Sequence, residues 1–254
     1  MRQSASQPRR KQDQKYWDKM AARWDNEIFN TLYQDKSKVI ATELERSSVG
    51  ARTVADFGCG IGIYFPLLSR LFEKVVGFER SRACVQIAKR RYRANTKVSV
   101  HQVAAAAGRK GQFDVVLCVN VAIHPSARSR TSVMRAVRAL LAPGGTLILV
   151  VPSLESATMV ARAERVTLTR AGSDATGDWD VDAHPGGVVT IERLPTKHFT
   201  QRELRDTLTR LGGKVIRIRR VEYSWQSQGV RPGPNGGRRA PWDWIAVAKR
   251  YPSS

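Results

Sequence analysis

The sequence has little cysteine and no long apolar run. Its 254 residues contain three cysteines, which lie far apart at Cys59, Cys84 and Cys118. This spacing excludes a disulfide framework and a Cys-x-x-Cys metal site, so a cytoplasmic location is expected. No window approaches the roughly 18 apolar residues of a membrane-spanning helix, so no membrane partner is expected. The N-terminal stretch MRQSASQPRRKQDQK lacks the apolar core of a secretory signal.

Acidic residues are also scarce. Against 43 lysines and arginines there are 22 aspartates and glutamates, which gives a formal net charge of +21. Such a charge indicates either an anionic partner such as RNA or a solvated, arginine-rich surface, and both interpretations remain open. Basic residues are dense in 80–97 and 214–239, and Arg217 and Arg219 are expected to point outward together.

The chain does contain a regular alternation of strand and helix patterns. Several runs rich in Val, Ile and Leu lack polar alternation, which is typical of strands buried on both faces. Segments with helical periodicity separate them. This alternation predicts a doubly wound α/β domain. Strands are predicted at 52–57, 74–79, 97–103, 113–121, 145–152, 214–223 and 242–250, and helices at 63–72, 82–92, 130–141, 153–170 and 201–211.

The segment VADFGCGIG places three glycines at alternate positions after the first of these strands. The dinucleotide fingerprint G-x-G-x-x-G fails in both frames, because Ile63 or Phe65 stands where the third glycine is needed. No Gly-Lys-Ser/Thr follows, which excludes a P-loop. Such a turn presents backbone N–H groups to a small anionic group. Glu79, at the end of the next strand, can accept hydrogen bonds from ribose hydroxyls.

Four motifs, VADFGCGIG, VVGFERS, FDVVLCVNVAIHP and LLAPGGTLILVVPS, make residues 14–151 resemble class I S-adenosylmethionine-dependent methyltransferases. The resemblance implies that cofactor, with the glycine turn around its methionine part and Glu79 on its ribose. Asp56 would fix the turn or reach the amino group through water, and Cys118–Asn120 would face the methyl. The implied cofactor-binding residues are Tyr16, Trp24, Asp56, Phe57, Gly58, Cys59, Gly60, Gly62, Glu79, Arg80, Cys118 and Asn120.

The resemblance also implies the domain organisation. Residues 1–13 are expected to be a disordered basic tail. Residues 14–254 would form one Rossmann-like domain around a seven-stranded sheet that is mostly parallel and has an antiparallel C-terminal strand. Residues 14–52 would be a helical cap over the cofactor, and 171–199 an acidic loop and insertion on the substrate side.

One departure from the family pattern concerns the cofactor, and two missing motifs concern the substrate. The family usually places Asp after the third strand, near the adenine amine, whereas this chain has Val103 and Ala104. A backbone carbonyl would then have to replace that carboxylate. The fourth strand lacks the [Asp/Asn/Ser]-Pro-Pro-[Tyr/Phe] motif of base amino-methylation, and no Pro-Cys pair suits cytosine C5 methylation.

A hydroxyl acceptor needs a base, and histidine is the usual one. His124 follows Asn120 by four residues and is the candidate catalytic base, with a simple turn cap before Pro125 as the alternative. His184 and His198 are further candidates for substrate contact. The acidic segment 171–187 lacks a calcium-loop pattern, so no metal is expected. It either favours a cationic acceptor or is a solvated loop paired with surface arginines.

The leading hypothesis is methyl transfer by in-line displacement to an oxygen or nitrogen of a small molecule. The alternatives are an RNA- or ribosome-directed methyltransferase, suggested by the charge, and a non-catalytic protein of the same fold that binds the cofactor.

Overall fold

The structure, a computed structural model, describes residues 18–19, 21, 31–170, 177, 179–184, 186–191, 194–230 and 239–251. Its strands are β1 (Thr53–Phe57), β2 (Lys74–Glu79), β3 (Val98–Gln102), β4 (Phe113–Val119), β5 (Leu141–Pro152), β6 (Trp179–His184), β7 (Val188–Ile191), β8 (Leu194–Lys197), β9 (Gly213–Glu222) and β10 (Trp242–Arg250).

Seven of these strands form the central sheet, in the order β3-β2-β1-β4-β5-β10-β9. The strands from β3 to β5 are parallel, and β10 runs antiparallel to both of its neighbours. The predicted α/β fold with an antiparallel C-terminal strand is therefore confirmed. The strand order reverses between β1 and β4, and ligands of such sheets bind outside the carboxyl ends at this point.

Helices cover both faces of the sheet. On one face lie α2 (Val39–Ser48), α3 (Phe65–Leu71) and α4 (Arg82–Arg91), which bury Leu44, Leu68 and Val85 against the strands. On the other face lie α5 (Ala127–Leu140) and α7 (Gln201–Arg210), which bury Val137 and Leu204. None of the helices in the described part of the chain has the length and apolar character needed to cross a bilayer. The helices are α1 (Thr31–Gln34), α2 (Val39–Ser48), α3 (Phe65–Leu71), α4 (Arg82–Arg91), α5 (Ala127–Leu140), α6 (Leu154–Arg170) and α7 (Gln201–Arg210).

A second, three-stranded antiparallel sheet has the order β6-β7-β8. The prediction of a loop throughout 171–187 is wrong for 179–184, which is β6. The acidic composition concealed an alternation in which Trp179 is partly buried and Asp180 is exposed. Asp174 and Asp178, which belong to the same acidic segment, lie outside the described residues.

The small sheet lies at the carboxyl edge of the central sheet. The backbone N–H of Lys197 donates to the Ile123 carbonyl oxygen at 2.8 Å, just after β4. The Lys197 ammonium is buried and donates to the Gly186 carbonyl oxygen and to Glu203, each at 2.6 Å. These contacts hold β6–β8 beside the crevice where a ligand is expected.

Arg217 and Arg219 are both exposed, as expected, with 42% and 43% of their side chains accessible. Both side chains pair with Glu43 of α2, at 3.0 Å and 3.3 Å, and Glu43 is fully buried. Burial raises the pKa of Glu43, but the hydrogen bonds from the two guanidinium groups outweigh it and lower that pKa overall. These arginines therefore join the edge strand β9 to α2, a partner that strand alternation alone could not reveal.

Candidate active site

The glycine turn after β1 lies at the carboxyl edge of the sheet, and the backbone N–H groups of its three glycines all donate within the protein. Gly58, Gly60 and Gly62 have φ angles of 83°, 55° and 86°, which residues other than glycine rarely adopt. A Cβ at Gly58 would overlap the Val121 side chain. The Gly58 N–H donates to the Phe78 carbonyl oxygen of β2 at 2.7 Å. Val121 therefore fills the space where a side chain at position 58 would lie.

Glu79 is fixed at the end of β2 by three backbone donors. Its carboxylate accepts hydrogen bonds from the N–H groups of Gly60 at 3.0 Å, Arg80 at 2.6 Å and Ser81 at 2.8 Å. Burial raises the pKa of Glu79, and these hydrogen bonds offset the rise only in part. The carboxylate thus links the glycine turn to the start of α4 and is held where the resemblance expects a ribose.

Asp56 lies beneath the same turn. It is 2% exposed, and its Oδ2 has no hydrogen-bond partner among the described residues. Burial, and after it the charge of Glu79, raises the pKa of Asp56 to about 8. A buried acid with an unpartnered oxygen, such as Asp56, is unfavourable unless a ligand supplies positive charge or hydrogen-bond donors. The ammonium and ribose hydroxyls of S-adenosylmethionine are such donors, so the residues present fit this cofactor.

Other predicted cofactor residues contribute through the backbone. The side chains of Phe57, Cys59 and Cys118 are buried in the apolar clusters of the sheet. Burial raises the pKa of both thiols, which keeps them protonated. The backbone N–H of Arg80 donates a hydrogen bond to the Glu79 carboxylate. Phe57 and Cys118 can therefore contact a ligand only through main-chain atoms.

The predicted N-terminal cap is described at only a few residues. Tyr16 and Trp24 lie outside the described residues. Between them, Asp18 accepts a hydrogen bond from the Ser81 hydroxyl at 2.5 Å, and Ala21 is buried against the site's edge. This segment therefore reaches the start of α4 beside Glu79. Sequence reasoning missed Asp18 because the aromatic spacing drew attention to its neighbours.

His124 lies in the loop between β4 and α5. Its Nδ1 accepts a hydrogen bond from the Ser126 N–H at 2.9 Å, and Arg130 donates to its carbonyl oxygen at 2.8 Å. A neutral ring that accepts at Nδ1 carries its proton on Nε2. In this arrangement the ring offers Nε2 as a donor, and it can act as a base only after releasing Ser126.

The other two candidate histidines have different positions. His198 is buried beside β8, where burial lowers its pKa to about 4, and its Nδ1 lies 3.0 Å from the Thr196 carbonyl oxygen. His184 is the last residue of β6, and its side chain lies outside the described residues.

Gln102 was missed by the sequence reasoning. It ends β3 opposite Glu79 in the parallel register, and its Nε2 is buried without a hydrogen-bond partner among the described residues. Next come Val103 and Ala104, which begin a 3₁₀ helix. The comparison with the family looked for a carboxylate after the strand, whereas the polar side chain is an amide on the strand itself.

Asn120 follows β4 in a left-handed backbone conformation, with φ 54°. Its Nδ2 donates to Oδ2 of Asp243 at 3.4 Å, and the Tyr223 hydroxyl donates to the same oxygen at 2.9 Å. Sequence reasoning found Asn120 but missed the other two, since they come from strands more than 100 residues further along the chain. The candidate site therefore combines a glycine turn, two buried acids and a polar group beside β4.

Residues 54–145 match the family model described as a methyltransferase domain. A ubiquinone biosynthesis O-methyltransferase from Pseudomonas paraeruginosa is 30% identical over 131 residues, which are 50% of this chain and 56% of that protein. The enzyme of the same name from Bordetella avium is 31% identical, over 56% of this chain and 62% of that protein. The chain thus spans somewhat more than half the length of the curated relatives it matches.

Solved structures share the fold at low sequence identity. A Burkholderia thailandensis 1,6-didemethyltoxoflavin-N1-methyltransferase, with bound 1,6-didemethyltoxoflavin and S-adenosylhomocysteine, has a TM-score of 0.62 and 13% identity over 99% of this chain and 92% of that chain. The magnesium protoporphyrin IX methyltransferase from Synechocystis, with bound S-adenosylmethionine, has a TM-score of 0.61 and 14% identity over 98% of this chain and 100% of that chain. The predicted resemblance to class I methyltransferases is confirmed, because residues 54–145 match the methyltransferase-domain model.

Proposed function

We propose that this methyltransferase-domain protein transfers the methyl group of S-adenosylmethionine to a hydroxyl oxygen, or to an amine nitrogen, of a small molecule. The observation that carries the proposal is the pair of buried acids, Asp56 and Glu79, beside a turn of three glycines in left-handed backbone conformations. The match of residues 54–145 to a methyltransferase domain supports it independently.

Different residues of the chain would bind different parts of the cofactor. Glu79 would accept hydrogen bonds from the ribose hydroxyls, and the glycine turn with Asp56 would hold the methionine part. Gln102 would take the place of the missing acid at the adenine, because its buried amide ends β3 opposite Glu79. The bound cofactor supplies a methyl group on a positively charged sulfur, and the protein aligns an acceptor with it and excludes water.

A small acceptor is supported by what surrounds the crevice. The β6–β8 sheet is tied by Lys197 to the loop after β4, and the segment around Asp18 is tied to Ser81. We expect the β6–β8 sheet and the segment around Asp18 to narrow the opening at the carboxyl edge of the central sheet. A narrow opening suits a small acceptor better than a folded macromolecule. The curated relatives are named O-methyltransferases, which favours oxygen as the acceptor atom.

His124 remains the predicted base. If His124 is the base, His124→Ala lowers turnover at least ~100-fold while S-adenosylhomocysteine affinity is kept. The Nδ1 contact with Ser126 favours a lesser role, that of a hydrogen-bond donor through Nε2. An unchanged turnover would remove His124 from the chemistry.

RNA is the second candidate acceptor. It is favoured by one observation: Lys89, Arg90 and Arg91 in the last turn of α4 are all exposed, as are Arg93 and Lys97 beyond it. Binding through phosphates would weaken steeply as salt is raised. RNA association that is weak even at low salt would exclude this candidate.

The test of the proposed function is methyl transfer from labelled S-adenosylmethionine to a panel of small phenols, alcohols and amines, with total RNA as a parallel acceptor. Label in a small molecule supports the proposal, and label in RNA supports the second candidate. Cofactor binding without transfer to any acceptor would instead favour a non-catalytic binding protein. We place the protein in the cytoplasm because its three cysteines are free and buried, and cell fractionation tests this.

A further inference from the structure

A polar compartment lies next to the proposed cofactor site, between the central sheet and the α1–α3 side. Five side chains form it, and each comes from a different part of the chain: Asp35 after α1, Tyr64 before α3, Asn120 after β4, Tyr223 after β9 and Asp243 on β10. The proposed cofactor contacts use only Asn120 of these five.

Asp243 is the centre of the hydrogen bonding in this compartment. Its Oδ2 accepts from the Tyr223 hydroxyl at 2.9 Å and from the Asn120 amide at 3.4 Å. The residue as a whole is partly buried. On the opposite side the Tyr64 hydroxyl lies 2.7 Å from the Thr31 hydroxyl.

Asp35 brings a second carboxylate to the same place. It is 4% exposed, and its Oδ2 accepts from the Ile40 N–H at 2.8 Å. Its Oδ1 is buried without a hydrogen-bond partner among the described residues. The charges of Asp35 and Asp243 act on the hydroxyls of both Tyr64 and Tyr223, which indicates that these four groups lie near one another.

The charged groups of this compartment are acidic, whereas the protein as a whole has a positive net charge. The chain carries a formal charge of +21, yet no lysine, arginine or histidine in the described ranges forms an ion pair with Asp35 or Asp243. An unpaired buried acid is costly, and unpaired polar atoms buried together indicate a place for a ligand that donates hydrogen bonds. The unpartnered Oδ1 atoms of Asp35 and Asn120 are acceptors for such donors.

The position of Asn120 connects the compartment to the reaction. By the family resemblance, Cys118–Asn120 faces the transferring methyl, and the amide of Asn120 contacts Asp243 directly. His124 is the other base candidate, but its Nδ1 is occupied by the Ser126 N–H. Asp243 is therefore the carboxylate best placed to meet the acceptor atom.

We propose that Asp243 takes the proton that the acceptor's hydroxyl loses during methyl transfer, and that the compartment selects neutral or cationic acceptors over anionic ones. This inference rests on the proposed function. The acceptor O–H bond breaks and its proton passes to the Asp243 carboxylate, while the acceptor oxygen forms the new bond to the methyl carbon. The electron pair of the former carbon–sulfur bond stays on the sulfur, which becomes neutral. Asp243 then releases the proton to water as the product leaves.

Tyr223 and Asn120 act as positioning residues, since they hold the Asp243 carboxylate through its Oδ2. Burial raises the pKa of Asp243 to about 6, and the hydrogen bonds from Tyr223 and Asn120 offset part of the rise. A carboxylate with a raised pKa is a stronger base at neutral pH than an ordinary one. The groups that face it are Tyr223 from β9, Asn120 from the end of β4, and Tyr64 and Asp35 across the compartment.

The activity test compares Asp243→Asn with Asp206→Asn, an exposed aspartate on α7, using an acceptor that the wild-type protein methylates. Asp243→Asn should lower kcat at least ~100-fold and keep the Kd for S-adenosylhomocysteine within about twofold, whereas Asp206→Asn should match the wild type. Turnover of Asp243→Asn within about threefold of wild type would overturn the inference. A wild-type protein that methylates no acceptor would instead refute the proposed function.

A second measurement needs no acceptor. In protein labelled with ¹³C at the aspartate carboxyls, the resonance missing from Asp243→Asn should titrate in the wild type above pH 5, and Tyr223→Phe should move that titration upward because a stabilising hydrogen bond is lost. The same upward shift is expected in the pH profile of kcat for Tyr223→Phe. A resonance that titrates near the ordinary value of 3.8 would overturn the assignment of Asp243 as the base.

Discussion

Replacing Gly58 by alanine tests the close approach of the glycine turn to the loop after β4. Gly58 has a φ of 83°, which costs alanine about 1 kcal/mol. The new Cβ would also overlap Val121, and overpacking of this kind adds about 2 kcal/mol. The sum is about 3 kcal/mol, which for a chain of this size lowers Tm by roughly 6–12 °C. We also expect S-adenosylhomocysteine to bind at least ~10-fold more weakly, because the turn must shift.

Gly111→Ala is the matched control. Gly111 has a φ of 69°, but a Cβ there would meet no atom within 4 Å. Only the conformational cost of about 1 kcal/mol remains, so the expected fall in Tm is roughly 2–4 °C with cofactor affinity kept. Thermal unfolding and calorimetry of the two variants side by side make the comparison. Equal losses of Tm would refute the argument that Val121 closes this space.

Asp56→Asn should stabilise the protein in the absence of cofactor. The folded pKa of Asp56, about 8, lies above its ordinary value of 3.8, so its contribution to stability falls as pH rises between these values. The stability advantage of the variant should therefore grow from pH 5 to pH 8 in denaturant titrations, and a constant difference would contradict the assignment. Glu43→Ala should destabilise by about 2 kcal/mol, because it removes the charge-assisted hydrogen bonds from Arg217 and Arg219 on β9. Glu45→Ala, on an exposed position of the same helix, should be nearly neutral, and equal losses from the two would contradict the role of Glu43.

Most of the central sheet could be predicted from the sequence. Its buried strands are continuous apolar runs, and the capping box at Thr200 marked the start of α7, where the Thr200 hydroxyl accepts from the Glu203 N–H at 3.1 Å. The β6–β8 sheet could not be predicted, because aspartates and glycines dominate its first hairpin. Its strands are defined by pairing with one another and by Lys197, and neither appears as a local pattern.

The residues of the candidate site also fall into those that could be predicted from the sequence and those that could not. Asp56, the glycines and Glu79 could be found because a strand–turn–helix motif places them close together in sequence. Asp243 and Tyr223 could not, since Asp243 contacts Asn120 from 123 residues away and Tyr223 is linked to Asn120 only through Asp243. The pairing of Arg217 and Arg219 with Glu43 could not be predicted for a related reason, because Glu43 is 174 residues distant from Arg217.

The most direct test of the whole account is calorimetric titration of S-adenosylmethionine into the wild-type protein, Glu79→Gln and Glu222→Gln. Loss of a charge-assisted hydrogen bond to the ribose should weaken binding by Glu79→Gln about 10- to 100-fold. Glu222→Gln, at an exposed position on β9, should bind as the wild type does. Failure of the wild type to bind S-adenosylmethionine, or equal binding by all three proteins, would contradict the account.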